Sequence, residues 1–229
     1  MIQNKRIVCL ANSRKLSGRC IAGREWDAGR GAGAWIRPVS ERKGQEVSEY
    51  ERQYEDGSDP RLLDILDIPV KGPRPDGCQS ENWLLDPEHY WRRVGSCSPF
   101  DLPVLADPVA PLWVDGDSTY HGRSDRVSIE AGGRTHTSLR LVKVEQLTLR
   151  VFAPGEAFGN AKRRVQGRFK HAGHYYALWV TDPVYERQFL ARLNGTYQHG
   201  ECYLTVSLGE PYEGYIYKLI AAIIKSDGQ

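Results

Sequence analysis

Residues 139–151 read Leu-Arg-Leu-Val-Lys-Val-Glu-Gln-Leu-Thr-Leu-Arg-Val, apolar and polar side chains alternating at a period of two. Successive side chains of a strand point to opposite faces, so this spacing predicts a long strand with one face in a core and one in water. Residues 163–170 and 175–181 lie on either side of Gly173 and read as a hairpin rich in strand-forming aromatics. A helix follows. Thr181 or Asp182 can cap it, Pro183 suits its first turn, Tyr185, Phe189 and Leu193 recur every four residues, and Gly195 after Asn194 supplies a left-handed stop. Two more strands, 202–208 and 215–224, are joined by a Gly- and Pro-containing turn at 209–214.

Three strands, one helix and two strands is the order of a five-stranded Greek-key barrel of the OB type, in which the helix plugs one end. A plain antiparallel sheet backed by a helix uses the same elements. The N-terminal half repeats the theme. Residues 6–11, 19–25 and 34–40 read as strands, the charged stretch 40–54 as helical, and 62–70 as a fourth strand. A short helix opens at Asp86-Pro87. Residues 95–135 are loop-like, with strands suggested only at 112–114 and 126–129, and the domain boundary is placed there. The expected organisation is an N-terminal OB-like domain over 1–134, carrying an acidic, loop-rich insertion, and a C-terminal OB-fold domain over 135–229. The fold class is mainly β with short helices.

The 229 residues suffice to bury a core without disulfides. Cys9, Cys20, Cys78, Cys97 and Cys202 are odd in number and show no Cys-x-x-Cys spacing, which predicts free thiols in a reducing compartment. No apolar run approaches the ~18 residues of a membrane span, and the start lacks a signal-length apolar stretch. The expectation is a cytoplasmic chain with no membrane partner.

The net charge of +2 conceals strong blocks. Residues 1–43 hold ten Lys and Arg against three Asp and Glu, whereas 44–100 hold six against twelve; 101–130 hold two against six, and 131–229 thirteen against eight. Two basic blocks therefore flank an acidic centre. Either they present cationic surface to phosphate, or the acidic centre folds across them and neutralises them.

Several stretches carry a likeness to a known family. Residues 5–15 followed by 18–23, the run Trp35-Ile36-Arg37-Pro38-Val39-Ser40, and the closing 203–211 with 215–224 resemble bacterial proteins of the dual OB-containing domain family. The likeness also takes in 81–86 and 176–182, so it covers essentially the whole chain. It implies two five-stranded OB barrels in one compact unit and, by association, recognition of nucleic acid or nucleotides. It carries no catalytic residues.

The residues themselves offer two binding candidates. Residues 162–174 hold five cations and no acid, with Phe169 among them and Tyr175 and Tyr176 following. Cations for phosphates beside flat rings for bases are what a single-strand groove requires. Period two puts Arg164, Gln166, Arg168 and Lys170 on one face and Arg163, Val165, Gly167 and Phe169 on the other. A solvated edge strand, whose charges prevent aggregation, explains the same pattern. The second candidate joins Asn12, Ser13, Arg14 and Lys15 to Arg24, Trp35 and Arg37, on strands that an OB barrel turns toward its ligand. A buried Trp35 explains that pattern equally.

Gly29-Arg30-Gly31-Ala32-Gly33 lacks the Lys and Ser of a phosphate-binding loop and reads as a hairpin tip. There is no nucleophile elbow and no His-Glu-x-x-His. His171 and His174 are the candidate metal ligands, at a spacing uninformative on strands, and the expectation is no metal and no cofactor. The resulting reading is a non-catalytic module that binds single-stranded nucleic acid or a nucleotide derivative. An enzyme acting on nucleic acid through a histidine or divalent-metal site, and a protein-interaction or sensor subunit, remain as alternatives.

Overall fold

In the computed structural model, which describes residues 3–27 and 31–226, strand pairing closes into a ring twice. The chain divides into two units, Met1–Leu105 with His136–Ser138, and Ala106–Thr135 with Leu139–Ser226. Residues 106–135, assigned by the sequence to the N-terminal half, pack with the second unit.

The first unit contains β1 (Gln3–Lys15), β2 (Gly18–Asp27), β3 (Gly31–Val39), α1 (Glu49–Arg52), β4 (Asp64–Pro73), β5 (Asn82–Leu85), β6 (Arg92–Ser96) and α2 (Leu102–Leu105). Its ring runs β1-β2-β3-β5-β4 and returns to β1, with β3 and β5 parallel and β1 and β4 antiparallel. That closure is the OB strand order, with β6 added on the edge of β4. Ile7, Cys9, Ile21, Ile36, Leu66, Ile68 and Val70 form its core. β1 curls at a bulge between Cys9 and Ala11, directly opposite Gly23. A Cβ on Gly23 would stand 2.0 Å from the Val8 carbonyl oxygen, so only glycine lets the two strands approach this closely.

Two expectations change here for identifiable reasons. The helix read over 40–54 shrinks to α1, because Val47 is drawn into the core and its backbone pairs with Arg19 through two 2.9 Å hydrogen bonds. No helix forms after Asp86. Its carboxylate caps a turn by accepting from the Glu88 N–H, and the buried Trp91 bridges to Tyr54. β5 closes the ring although its four residues show no alternation, half of it being buried on each face.

The second unit contains β7 (Arg126–Ser128), α3 (Ile129–Gly133), β8 (Leu139–Phe152), β9 (Arg164–His171), β10 (His174–Val180), α4 (Pro183–Leu190), β11 (Gly195–Tyr212) and β12 (Tyr215–Lys225). Its ring runs β8-β9-β10-β12-β11 and returns to β8, with β10 and β12 parallel, and β7 lies on the outside of β12. Asp182 caps α4 by accepting from the Val184 and Tyr185 N–H groups, as the sequence implied. Tyr185 and Phe189 on its inner face join the barrel core, whereas Leu193 lies beyond the helix and is exposed. Residues 112–114 form no strand. Leu112 is instead anchored by its N–H, which donates to the Tyr176 hydroxyl at 3.0 Å. The β9–β10 turn places Ala172 at φ 47 and Gly173 at φ 82, the paired left-handed conformations of a two-residue hairpin. No helix among the described residues is long and apolar enough to cross a membrane.

Candidate functional site

Strand register fixes the outer face of the second barrel. Thr148 on β8, Arg168 on β9 and Ala177 on β10 stand in one row, with Lys170 and Tyr175 paired in the next row toward the β9–β10 turn. On the other side Arg150, Gln166 and Trp179 form a row, followed by Phe152 and Arg164. Alternation along β9 thus turns the polar set outward, as its period requires.

A concavity of about 570 Å³ opens on this face, with β9, β10, Gln146 and Thr148 below and residues 120–123 along one side. Its cations are Arg123, Arg168 and Lys170, and none of its lining residues is Asp or Glu. Among the described residues, none of the three cations forms an ion pair. Burial, and then the like charge of Arg150, pushes the Arg168 guanidinium below its ordinary value. The group stays charged, so an anion placed beside it would relieve an existing repulsion. Tyr175 is exposed, with the Arg123 guanidinium 5.1 Å and the Lys170 ammonium 5.6 Å from its ring centre. Tyr120 is 94% exposed at the rim. Gln146 and Thr148 both donate to the Gln198 side-chain oxygen, at 2.8 and 3.1 Å, giving the floor an ordered polar edge.

The other expected residues of this segment do different work. Phe169 and Tyr176 are buried and stacked on one another at 5.3 Å, because the same alternation that turns Arg168 outward turns Phe169 inward. The Tyr176 hydroxyl donates to Asp115 at 2.6 Å. Arg163 tethers the end of α4, donating to the Leu190 carbonyl at 3.1 Å, the Asn194 side chain at 2.7 Å and the Arg192 carbonyl. Arg164 lies on the Trp179 ring at 4.0 Å. His171 and His174 diverge. His171 is buried with Nε2 3.0 Å from the Ala110 carbonyl, and His174 is exposed with Nδ1 3.4 Å from Asp115. Among the described residues no group of three His, Cys, Asp or Glu is arranged to hold a metal ion.

Beneath the face, Lys218 is buried with Nζ 2.6 Å from Asp115 and 2.9 Å from the Val114 carbonyl. Burial lowers its pKa, against the opposing pull of Asp115. This network pins the segment that leads into residues 119–125.

The N-terminal candidate does not gather into an open site. Arg37 is 3% exposed, donating to the Ser138 hydroxyl at 2.8 Å and paired with Glu81 at 3.2 Å. Trp35 is 5% exposed beneath the Arg24 guanidinium, which also donates to the Gly33 carbonyl at 2.8 Å. Asn12 donates to the Pro60 carbonyl, Ser13 is buried, Arg14 is exposed and Lys15 half-buried. Carboxylates of the acidic centre pair with several of this unit's cations. Asp67 takes Arg6 and Arg92, Asp64 takes Arg93, and Glu51 takes Arg42. Of the glycine run at 29–33, residues 29 and 30 lie outside the described residues.

Sequence reasoning missed Tyr120, His121 and Arg123, which reach the site by folding back over the barrel. The run Tyr-His-Gly-Arg at 120–123, an aromatic and a cation at a turn, was the available signal.

Comparison with curated proteins and with solved structures returns no match. Residues 5–223 match the family model described as the dual OB-containing domain. With that match spanning nearly the whole chain and the OB strand order present twice, the chain belongs to the dual OB-containing domain family.

Proposed function

We propose that the chain is a non-catalytic binding module for single-stranded nucleic acid or a nucleotide-derived ligand, engaged through the outer face of β8, β9 and β10. One observation carries the reading. Three cations without carboxylate partners surround a concavity that also presents two exposed tyrosines. Phosphate needs the first and bases use the second. The β9–β10 surface is also where OB barrels commonly take oligonucleotides.

The test is fluorescence anisotropy with an internally labelled oligonucleotide at low salt. Tyr175→Ala removes a stacking platform worth about 1–3 kcal/mol, so its affinity falls roughly 5- to 150-fold. Tyr175→Phe keeps the ring and stays near wild type. Absence of binding by the wild-type protein, or equal affinity for the alanine variant, rejects the proposal.

A further inference from the structure

Residues 119–125 form a strap across the face just described, and the strap decides how a strand can enter. At one end Arg123 pairs through its backbone with Ala177 of β10, the two N–H to carbonyl distances being 3.3 and 3.0 Å. Midway, the His121 carbonyl accepts from the Gln166 amide at 2.7 Å, and Gln166 of β9 is fully buried beneath it. At the far side the His121 ring lies 5.4 Å from Phe152 of β8, with Nε2 2.9 Å from the Pro154 carbonyl. The strap therefore crosses all three strands.

Its conformation is built in. Asp125, 1% exposed, accepts from the Thr119 N–H at 2.8 Å and the Thr119 hydroxyl at 2.6 Å, and the same hydroxyl oxygen accepts from the Gly122 N–H. The Lys218 N–H donates to the Asp125 carbonyl at 2.8 Å, tying the strap to β12.

Beyond the strap the cations are engaged with rings. Arg164 covers Trp179 at 4.0 Å, Arg150 covers Phe152 at 4.1 Å, and the two rings stack at 5.7 Å. The cationic row of β9 is thus cut between Arg168 and Arg164. An OB fold that binds along a strand covers about 4–16 nucleotides. The open part of this face instead has one blocked end and about 570 Å³, a size within the roughly 300–1,000 Å³ of small-ligand sites.

Resting on the function proposed above, we infer that this is a dead-end site for a single phosphate-bearing nucleotide unit, supplied as the terminus of a strand or as a free mononucleotide. Arg168, Lys170 and Arg123 meet its phosphate, and Tyr175 stacks on its base. A continuous strand has no path through it.

The experiment compares a 5′-phosphorylated linear thymidine 12-mer, the circle made by ligating it, and thymidine monophosphate, by calorimetry with the full chain at low salt. The linear strand is expected to bind at least tenfold more tightly than the circle. Mononucleotide weaker than the linear strand identifies a strand terminus as the ligand; mononucleotide of equal or greater affinity identifies the free nucleotide. Equal affinity for linear and circular strands overturns the dead end while leaving the interface intact. Failure of all three probes to bind overturns the interface and this inference with it.

Discussion

Asp115→Ala is expected to be among the most damaging single changes in the second barrel. The carboxylate has the Lys218 ammonium at 2.6 Å and receives the Tyr176 hydroxyl at 2.6 Å, with the two charged side chains 9% and 0% exposed. Removing one partner of a buried pair leaves the other charge uncompensated, at about 3–5 kcal/mol. The variant also leaves the Tyr176 hydroxyl without its acceptor, so the upper part of that range is expected. Lys218→Met is milder by roughly 1–2 kcal/mol, because Asp115 keeps Tyr176 as a donor and stands beside His174. The double variant, with neither charge left, should be no less stable than Asp115→Ala alone. Urea unfolding of all four proteins, followed by tryptophan fluorescence at pH 7, gives the cycle. An additive double variant, or an Asp115→Ala cost below about 1 kcal/mol, refutes the buried-pair account.

Other outcomes follow from the same geometry. Arg163→Ala removes the tether at the end of α4 and should lower stability by about 1 kcal/mol, while oligonucleotide affinity stays within about twofold; a large affinity loss would place Arg163 in the interface. Gly23→Ala drives a Cβ onto the Val8 carbonyl and should destabilise by about 3 kcal/mol, whereas Gly72→Ala, with open space around it, should change stability by under about 0.5 kcal/mol; melting curves compare them. Burial holds His171 below its ordinary value of 6.5, so the unfolded chain takes up the proton first as pH falls. Its contribution is therefore complete above about pH 6.5 and is lost on acidification, at no more than about 1.4 kcal/mol per pH unit. Between pH 8 and 5 the wild type should lose more urea resistance than His171→Gln, and parallel losses would exclude His171 as the source.

The second barrel was legible because its order is written in local signals. Alternation marks 139–151, Gly173 marks the hairpin, and Asp182-Pro183 opens α4. β5 was not legible, since its four residues are specified by parallel pairing with β3, more than forty positions away, and not by a pattern of their own. The face of Arg168, Lys170 and Tyr175 could be read from the period of two, and that period also explains why Phe169 points inward. The burial of Arg37 could not be read, because Glu81 and Ser138 are brought to it only by tertiary folding. The strap was hidden for the same reason, its contacts to Gln166 and Pro154 being 45 and 33 residues away.

The most direct measurement of the central claim is the salt dependence of oligonucleotide affinity between about 50 and 200 mM, compared for wild type and an Arg123, Arg168 and Lys170 triple alanine variant. Each single-strand phosphate contact contributes about 0.7 to the slope of log affinity against log salt, and the three cations converge on one phosphate, so the variant's slope should be shallower by about 0.7. Identical slopes and affinities would show that these three cations do not meet phosphate, and would contradict the interface on the second barrel.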